Sequence, residues 1–214
     1  KRENIQEIYV PYTYTSVGNN DQKMKIPFLK KIKNTKLTFE KLTELLRSNN
    51  LKKLQNEKRN GLDFGITDSY DGKNILEYYI KYQDSFEYDK LEFIEFLIEC
   101  GIEINHKGNK KADENSALHL SVYIKDLDFI KILLKYNAEI EIQDKYGNTP
   151  LLRAVMNYRG ETELKDIIMF LIDKGASLEK KNFHDISSKE HIMNIGGGID
   201  AGFNKKEWDL REII

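Results

Sequence analysis

Four histidines and one cysteine are the side chains of this 214-residue chain best suited to move a proton, hold a metal or attack a carbonyl. Each of those tasks needs partners at set spacings, and the partners are missing. His106 and His184 fall on turn sequences, and His191 lies on a predicted helix with neither a cysteine nor a second spaced histidine beside it, so no zinc site is expected. Cys100, just before Gly101, reads as a packed thiol and cannot form an internal disulfide alone. Gly196-Gly197-Gly198 could cradle an anion with successive amides. Neither G-x-x-x-x-G-K-[ST] nor a strand ahead of it is present, so a helix stop and chain reversal is the expectation. Carboxylate pairs such as Glu139 and Glu141 read as the polar edge of hairpins in a chain with 35 acids. No Ser-His-Asp, Cys-His or H-E-x-x-H arrangement emerges. A hydrolase built on His184, Asp185 and His191 is the remote catalytic alternative. The expectation is a protein that is no enzyme and uses no metal, cofactor or small-molecule substrate.

Charge argues in the same direction. Charged residues make up 32% of the chain and sum to a net charge of -1, so the totals do not mark a polyanion binder. Lysines do gather at Lys23, Lys25, Lys30, Lys31, Lys33 and Lys36, which keeps a nucleic-acid or acidic-surface binder as the alternative reading. The plainer reading is a solvated link, because no aromatic stacking platform accompanies them. No apolar run approaches the roughly 18 residues of a membrane span. A cytoplasmic protein is expected, or a periplasmic or secreted one if a leader preceded Lys1.

One stretch states a whole structural unit. Asp144 and Gly147 suit a tight turn, Thr149 can cap a helix that Pro150 begins, and Leu151, Leu152, Ala154 and Val155 supply its apolar side. Ile168, Leu171 and Ile172 form a second helix that stops at Gly175-Ala176. One such pair cannot bury its own apolar face, so neighbours of the same kind must flank it. The string D-x-x-G-x-T-P-L-x-x-A followed by L-[LI]-x-x-G-A resembles the ankyrin repeat. That resemblance implies an all-α solenoid of helix pairs joined by short β-turn hairpins.

Other repeats follow with departures. Phe39, Leu42, Leu45 and Leu46, then Leu51 and Leu54, then Gly61-Leu62-Asp63-Phe64, make a degenerate first repeat. Gly72-Lys73-Asn74-Ile75-Leu76 opens a second that closes on Gly101, with surplus residues at Gln83 to Asp89. A third starts at Lys111 to Asn115, runs through Ser116-Ala117-Leu118-His119 and ends at Asn137-Ala138. Ala117 and Pro150 are 33 residues apart, the period of the family. In the family a histidine at the place of His119 hydrogen-bonds the turn of the adjacent repeat. The fourth repeat carries its own insertion at Tyr158 to Glu163. Beyond it, Ser187-Ser188 can cap a helix through Ile192 and Ile195, and Asn204 can cap a last helix carrying Trp208, Leu210 and Ile213. The chain thus divides into an N-terminal arm or small hairpin over 1–36 and a repeat domain over 37–214, with about four repeats and a shortened C-terminal capping unit.

The resemblance also implies where a partner would bind: residues inside and just after the D-x-x-G turns, and the exposed ends of the first helices. In the second repeat these are Tyr70, Asp71, Lys73, Lys81 and Tyr82. In the third they are Ala112, Asp113, Asn115, Tyr123 and Ile124, and in the fourth Lys145, Tyr146, Asn148, Met156 and Asn157. Phe183 and His184 complete the set. Asp84, Phe86, Glu87 and Tyr88 in the first insertion are expected to extend a second contact surface that suits a basic partner. The implied function is a monomeric protein-binding scaffold. Its Lys-, Asn- and Ile-rich composition resembles bacterial short arrays, some of which act as immunity or inhibitor partners of toxins or secreted effectors.

Overall fold

The computed structural model describes residues 38–197 and 210–213. Nine α-helices lie among them: α1 Phe39–Leu46, α2 Leu51–Arg59, α3 Ile75–Lys81, α4 Lys90–Glu99, α5 Ala117–Tyr123, α6 Leu127–Lys135, α7 Pro150–Asn157, α8 Thr162–Asp173 and α9 Ser188–Gly197. No strand occurs among the described residues. Two isolated antiparallel bridges, Lys107 to Ser116 and Lys181 to Ser187, tie hairpin stems.

Local chemistry starts and stops these short helices. The side chains of Thr38, Asn50, Asn74, Asp89, Ser116, Asp126 and Thr149 each accept a backbone amide two or three residues on. At the other end, α2, α4, α6 and α8 close on one geometry. Gly61, Gly101, Asn137 and Gly175 turn left-handed, and the next amide reaches back five residues, as in Leu62 to Glu57 at 3.0 Å and Ala176 to Leu171 at 2.9 Å.

The helices form two rows. First helices α1, α3, α5, α7 and α9 pack in chain order, and second helices α4, α6 and α8 pack behind them. Leu76, Leu118 and Leu151, each the second residue of its first helix, are buried in equivalent places. Phe93-Ile94, Phe129-Ile130 and Ile167-Ile168 fill the matching layer from the second row, each side chain adding about 2 kcal/mol of burial.

Three expectations change. The Gln83 to Asp89 insertion turns its rings inward: Tyr88 stacks on Phe93 at 4.3 Å between centroids, and Phe86 lies 5.5 Å from Tyr79. Tyr88 Oη donates to the Leu46 carbonyl at 2.8 Å and accepts the Asn50 amide at 3.1 Å. Tyr88 therefore fastens the first helix pair to the second, Phe86 packs on α3, and neither ring is free to grip a basic partner. The hairpin ahead of α5 begins earlier than Lys111, since its stem is Lys107 to Ser116 and a 3₁₀ turn Lys110–Ala112 fills its tip. Gly196 and Gly197 belong to the last turn of α9, so the helix does not stop before them.

Leu210 is buried, and Arg211–Ile213 forms one 3₁₀ turn against α9. The 1–36 arm with its lysines, the Gly198 to Ala201 segment, Asn204 and Trp208 lie outside the described residues.

Candidate functional site

The hairpins between helix pairs are shaped by short polar side chains. Asp144 is buried and its carboxylate accepts the amides of Tyr146 at 2.8 Å and Asn148 at 3.0 Å and the Arg153 guanidinium. The Asp144 amide closes the loop on the Asn148 carbonyl at 3.0 Å. Asp68 does the same for Tyr70 and Asp71, but its loop closes on Lys73, one residue longer. Asn182 Oδ1 accepts the amides of His184 at 2.9 Å and Ile186 at 3.0 Å.

One main-chain bond then joins each tip to the next. Asn109 donates to Asp71 at 2.8 Å, Lys145 to Asp113 at 3.0 Å, and Phe183 to Tyr146 at 3.0 Å. The tips form a ridge. Gly147 allows the last junction, because its φ is +79° and an added Cβ would stand 2.7 Å from the Phe183 amide nitrogen.

Tyr70, Tyr123 and Phe183 are 68%, 75% and 71% exposed, with Tyr82 and Tyr146 at 43% and 40%. Lys81, Asn157 and His184 are also exposed, while Asp71, Asp113, Asn115, Ile124, Lys145 and Met156 are half-buried and Ala112 is buried. Besides Ala112, two expected contact residues are not at the surface. Lys73 is 5% exposed, its ammonium bound to Asp71, and Asn148 is 3% exposed, its Oδ1 accepting Asn182 Nδ2 at 2.7 Å. The residue after the turn faces the neighbouring hairpin in the stack, which periodicity along one chain segment does not reveal.

The tips gather Tyr70, Asp71, Asp113, Lys145, Tyr146, Phe183 and His184. Lys81, Tyr82, Tyr123, Met156 and Asn157 stand at the far ends of the first helices, roughly 10 Å away along helices of this length. Three cations not singled out in the sequence join the tips. Lys111 Nζ lies 4.1 Å from the centre of the Tyr70 ring, Arg153 lies 5.4 Å from that of Tyr146, where Lys145 lies at 4.8 Å, and the Lys110 carbonyl accepts Lys145 Nζ at 3.5 Å. For Lys110 and Lys111 the signal was the surplus length of the Lys107 to Ser116 hairpin, whereas Arg153 lies on α7.

The histidines hold structure. His119 Nε2 donates to the Asn148 carbonyl at 3.0 Å while Nδ1 accepts the Ser116 amide, and burial pulls its pKa down to about 4. His106 Nδ1 lies 2.7 Å from the fully buried Glu77, whose Oε1 also accepts the Gly108 amide at 3.1 Å. Burial raises the Glu77 pKa, and the hydrogen bond from Glu77 raises that of His106. Asp185 pairs with Lys181 at 3.0 Å, and burial lowers the pKa of His191. The Cys100 thiol is pushed up to about 11 by burial, far from a reactive thiolate. Among the described residues no group of three or more His, Cys, Asp or Glu is placed to hold a metal ion, and no helix is long and apolar enough to cross a membrane.

A family model described as "Ankyrin repeats (3 copies)" matches residues 83–182, from the 3₁₀ turn ahead of α4 to the hairpin beyond α8. This segment is a run of ankyrin repeats. The ankyrin geometry extends ahead of that match, since α2 and α4 end on the same left-handed glycine closure. The chain is similar to Alpha-latrotoxin-Lg1a of Latrodectus geometricus, 26% identical over 163 residues that cover 72% of this chain and 11% of the toxin. It is also similar to an ankyrin repeat protein of Acanthamoeba polyphaga mimivirus, 28% identical over 49% of this chain and 12% of that protein. An ankyrin repeat protein of Fowlpox virus is 26% identical over 39% of this chain and 30% of its own length. The ankyrin array thus spans a small part of each of these relatives. Ankyrin repeats are typically non-enzymatic units that bind other proteins.

Proposed function

We propose that this array binds a protein partner through its hairpin tips and the far ends of its first helices, without catalysis and as a monomer. The observation that supports this is the exposure of Tyr70, Tyr82, Tyr123, Tyr146 and Phe183, at the tips and first-helix ends that the ankyrin resemblance implies. Large aromatic side chains give contact area at low entropic cost and recur at the energetic centres of interfaces. The contact set is the exposed and half-buried part of the tip and helix-end residues, with Lys73 and Asn148 behind it.

Replacing Tyr70, Tyr123 and Tyr146 together by Ala tests it. Binding to a stoichiometric partner recovered from cells should be lost, with helical content and melting temperature nearly unchanged. A large fall in stability, or undiminished binding, overturns the reading. The finer reading is an immunity or inhibitor partner of a toxin or secreted effector, and it rests on the compositional resemblance to bacterial short arrays. A partner whose toxic activity stops on complex formation is its test.

A further inference from the structure

We infer that the hairpin ridge takes an extended acidic segment of a partner protein, with carboxylates seated on Lys110 and Lys111. This rests on the protein-binding reading above and adds the chemistry of the partner. Each tip tyrosine carries a cation on its ring: Lys111 on Tyr70, and both Lys145 and Arg153 on Tyr146. A cation resting on a ring keeps N–H groups for an incoming acceptor.

Charge balance along the ridge is uneven. Lys145 is paired with Asp113, and Arg153 with Asp144. Lys110 and Lys111 are both exposed and have no ion-pair partner among the described residues. Two positive charges outside any ion pair therefore stand between two exposed tyrosines, in a chain whose net charge is -1. The surface is complementary to spaced carboxylates flanked by apolar side chains.

Geometry sets the length of the segment. Tyr70, Lys111 and Tyr146 belong to three successive tips joined by main-chain bonds. Packed helices stand about 10 Å apart, so the ridge from Tyr70 to Tyr146 covers roughly 20 Å, the reach of about six extended residues. Asp113 and Glu114 share the tip with the lysines. A continuous phosphate backbone would be repelled there, whereas carboxylates on alternate residues can avoid them.

Fluorescence anisotropy with the full chain tests this, using short labelled peptides that alternate leucine with glutamate, glutamine or lysine, and a labelled oligothymidylate. The glutamate peptide should bind best. Reversal by Lys110→Glu with Lys111→Glu should weaken it by about tenfold or more, as expected for two surface ion pairs, and should shift preference to the lysine peptide. Lys110→Gln with Lys111→Gln gives a smaller loss in the same direction without the new preference, and serves if the reversed protein melts early.

Equal binding of the glutamine peptide, or an affinity within about twofold after reversal, overturns the acidic class while leaving the tyrosine surface standing. Tighter binding of the oligothymidylate overturns it in favour of nucleic acid. If no peptide binds, the acidic segment is wrong, and the tyrosine replacements still decide the earlier reading by themselves.

Discussion

Replacing Glu77 by Ala should remove about 3–4 kcal/mol of unfolding free energy. Glu77 is 0% exposed and accepts the Asn74 amide at 2.8 Å, the Gly108 amide at 3.1 Å and His106 Nδ1 at 2.7 Å. Truncation leaves the Asn74 amide without an acceptor, at about 1–2 kcal/mol, while the Gly108 amide keeps its 3.3 Å bond to the Asn115 carbonyl. Breaking a buried pair by removing one partner costs about 3–5 kcal/mol. The burial cost of the carboxylate, which shows as its raised pKa, is recovered and trims the total toward the lower end.

Urea denaturation followed by circular dichroism at neutral pH measures the loss. Glu77→Gln keeps one acceptor and should cost about 1–2 kcal/mol. A double-mutant cycle with His106→Ala should return about 1–3 kcal/mol of coupling. The pH dependence adds a second readout. The pKa of His106 is raised in the fold above its ordinary 6.5, so its contribution is complete below pH 6.5 and is lost as pH rises through the folded value. The raised Glu77 pKa has the same sign from 4.5 upward. Both slopes should vanish in Glu77→Ala. A loss under about 1 kcal/mol, or a slope that persists, refutes the reasoning.

His119 works with the opposite sign: its pKa falls from 6.5 to about 4 on folding, so its contribution is complete above pH 6.5 and drains away toward pH 4. Acidification over that window should cost about 3 kcal/mol, and thermal melts at stepped pH should show the slope disappear in His119→Ala. Tyr88→Phe keeps the ring stack and loses both hydroxyl bonds, so it should cost about 1 kcal/mol, with hydrogen exchange accelerating in 39–59. Asn137 holds φ at +64° after α6, and Asn137→Gly should raise stability by up to about 1 kcal/mol in the same denaturation assay.

The fourth repeat was legible because its elements are locally coded. Thr149 caps, Pro150 starts and Gly175 stops the helices in the places their types dictate. The 33-residue spacing of Ala117 and Pro150 made each the first residue of its helix. Exposure of Tyr70, Tyr123 and Tyr146 followed from the same register. What escaped depends on contacts between segments distant in sequence. Tyr88 meets a loop 38 residues earlier, and His106 meets Glu77 from 29 residues away. Lys73 and Asn148 are covered by hairpins of the following repeats, so their burial is a property of stacking rather than of their own turns.

The third residue of the first helix reaches into the following repeat twice, but with opposite polarity. Glu77 offers an acceptor to an amide and an imidazole, whereas His119 offers a donor to a carbonyl. Were the module holding Glu77 moved directly in front of the Asn148 hairpin, two oxygens would confront each other. These modules are therefore not interchangeable beads: each junction accepts only its own successor, and shuffling or duplicating them would have to rewrite that residue along with the turn it meets.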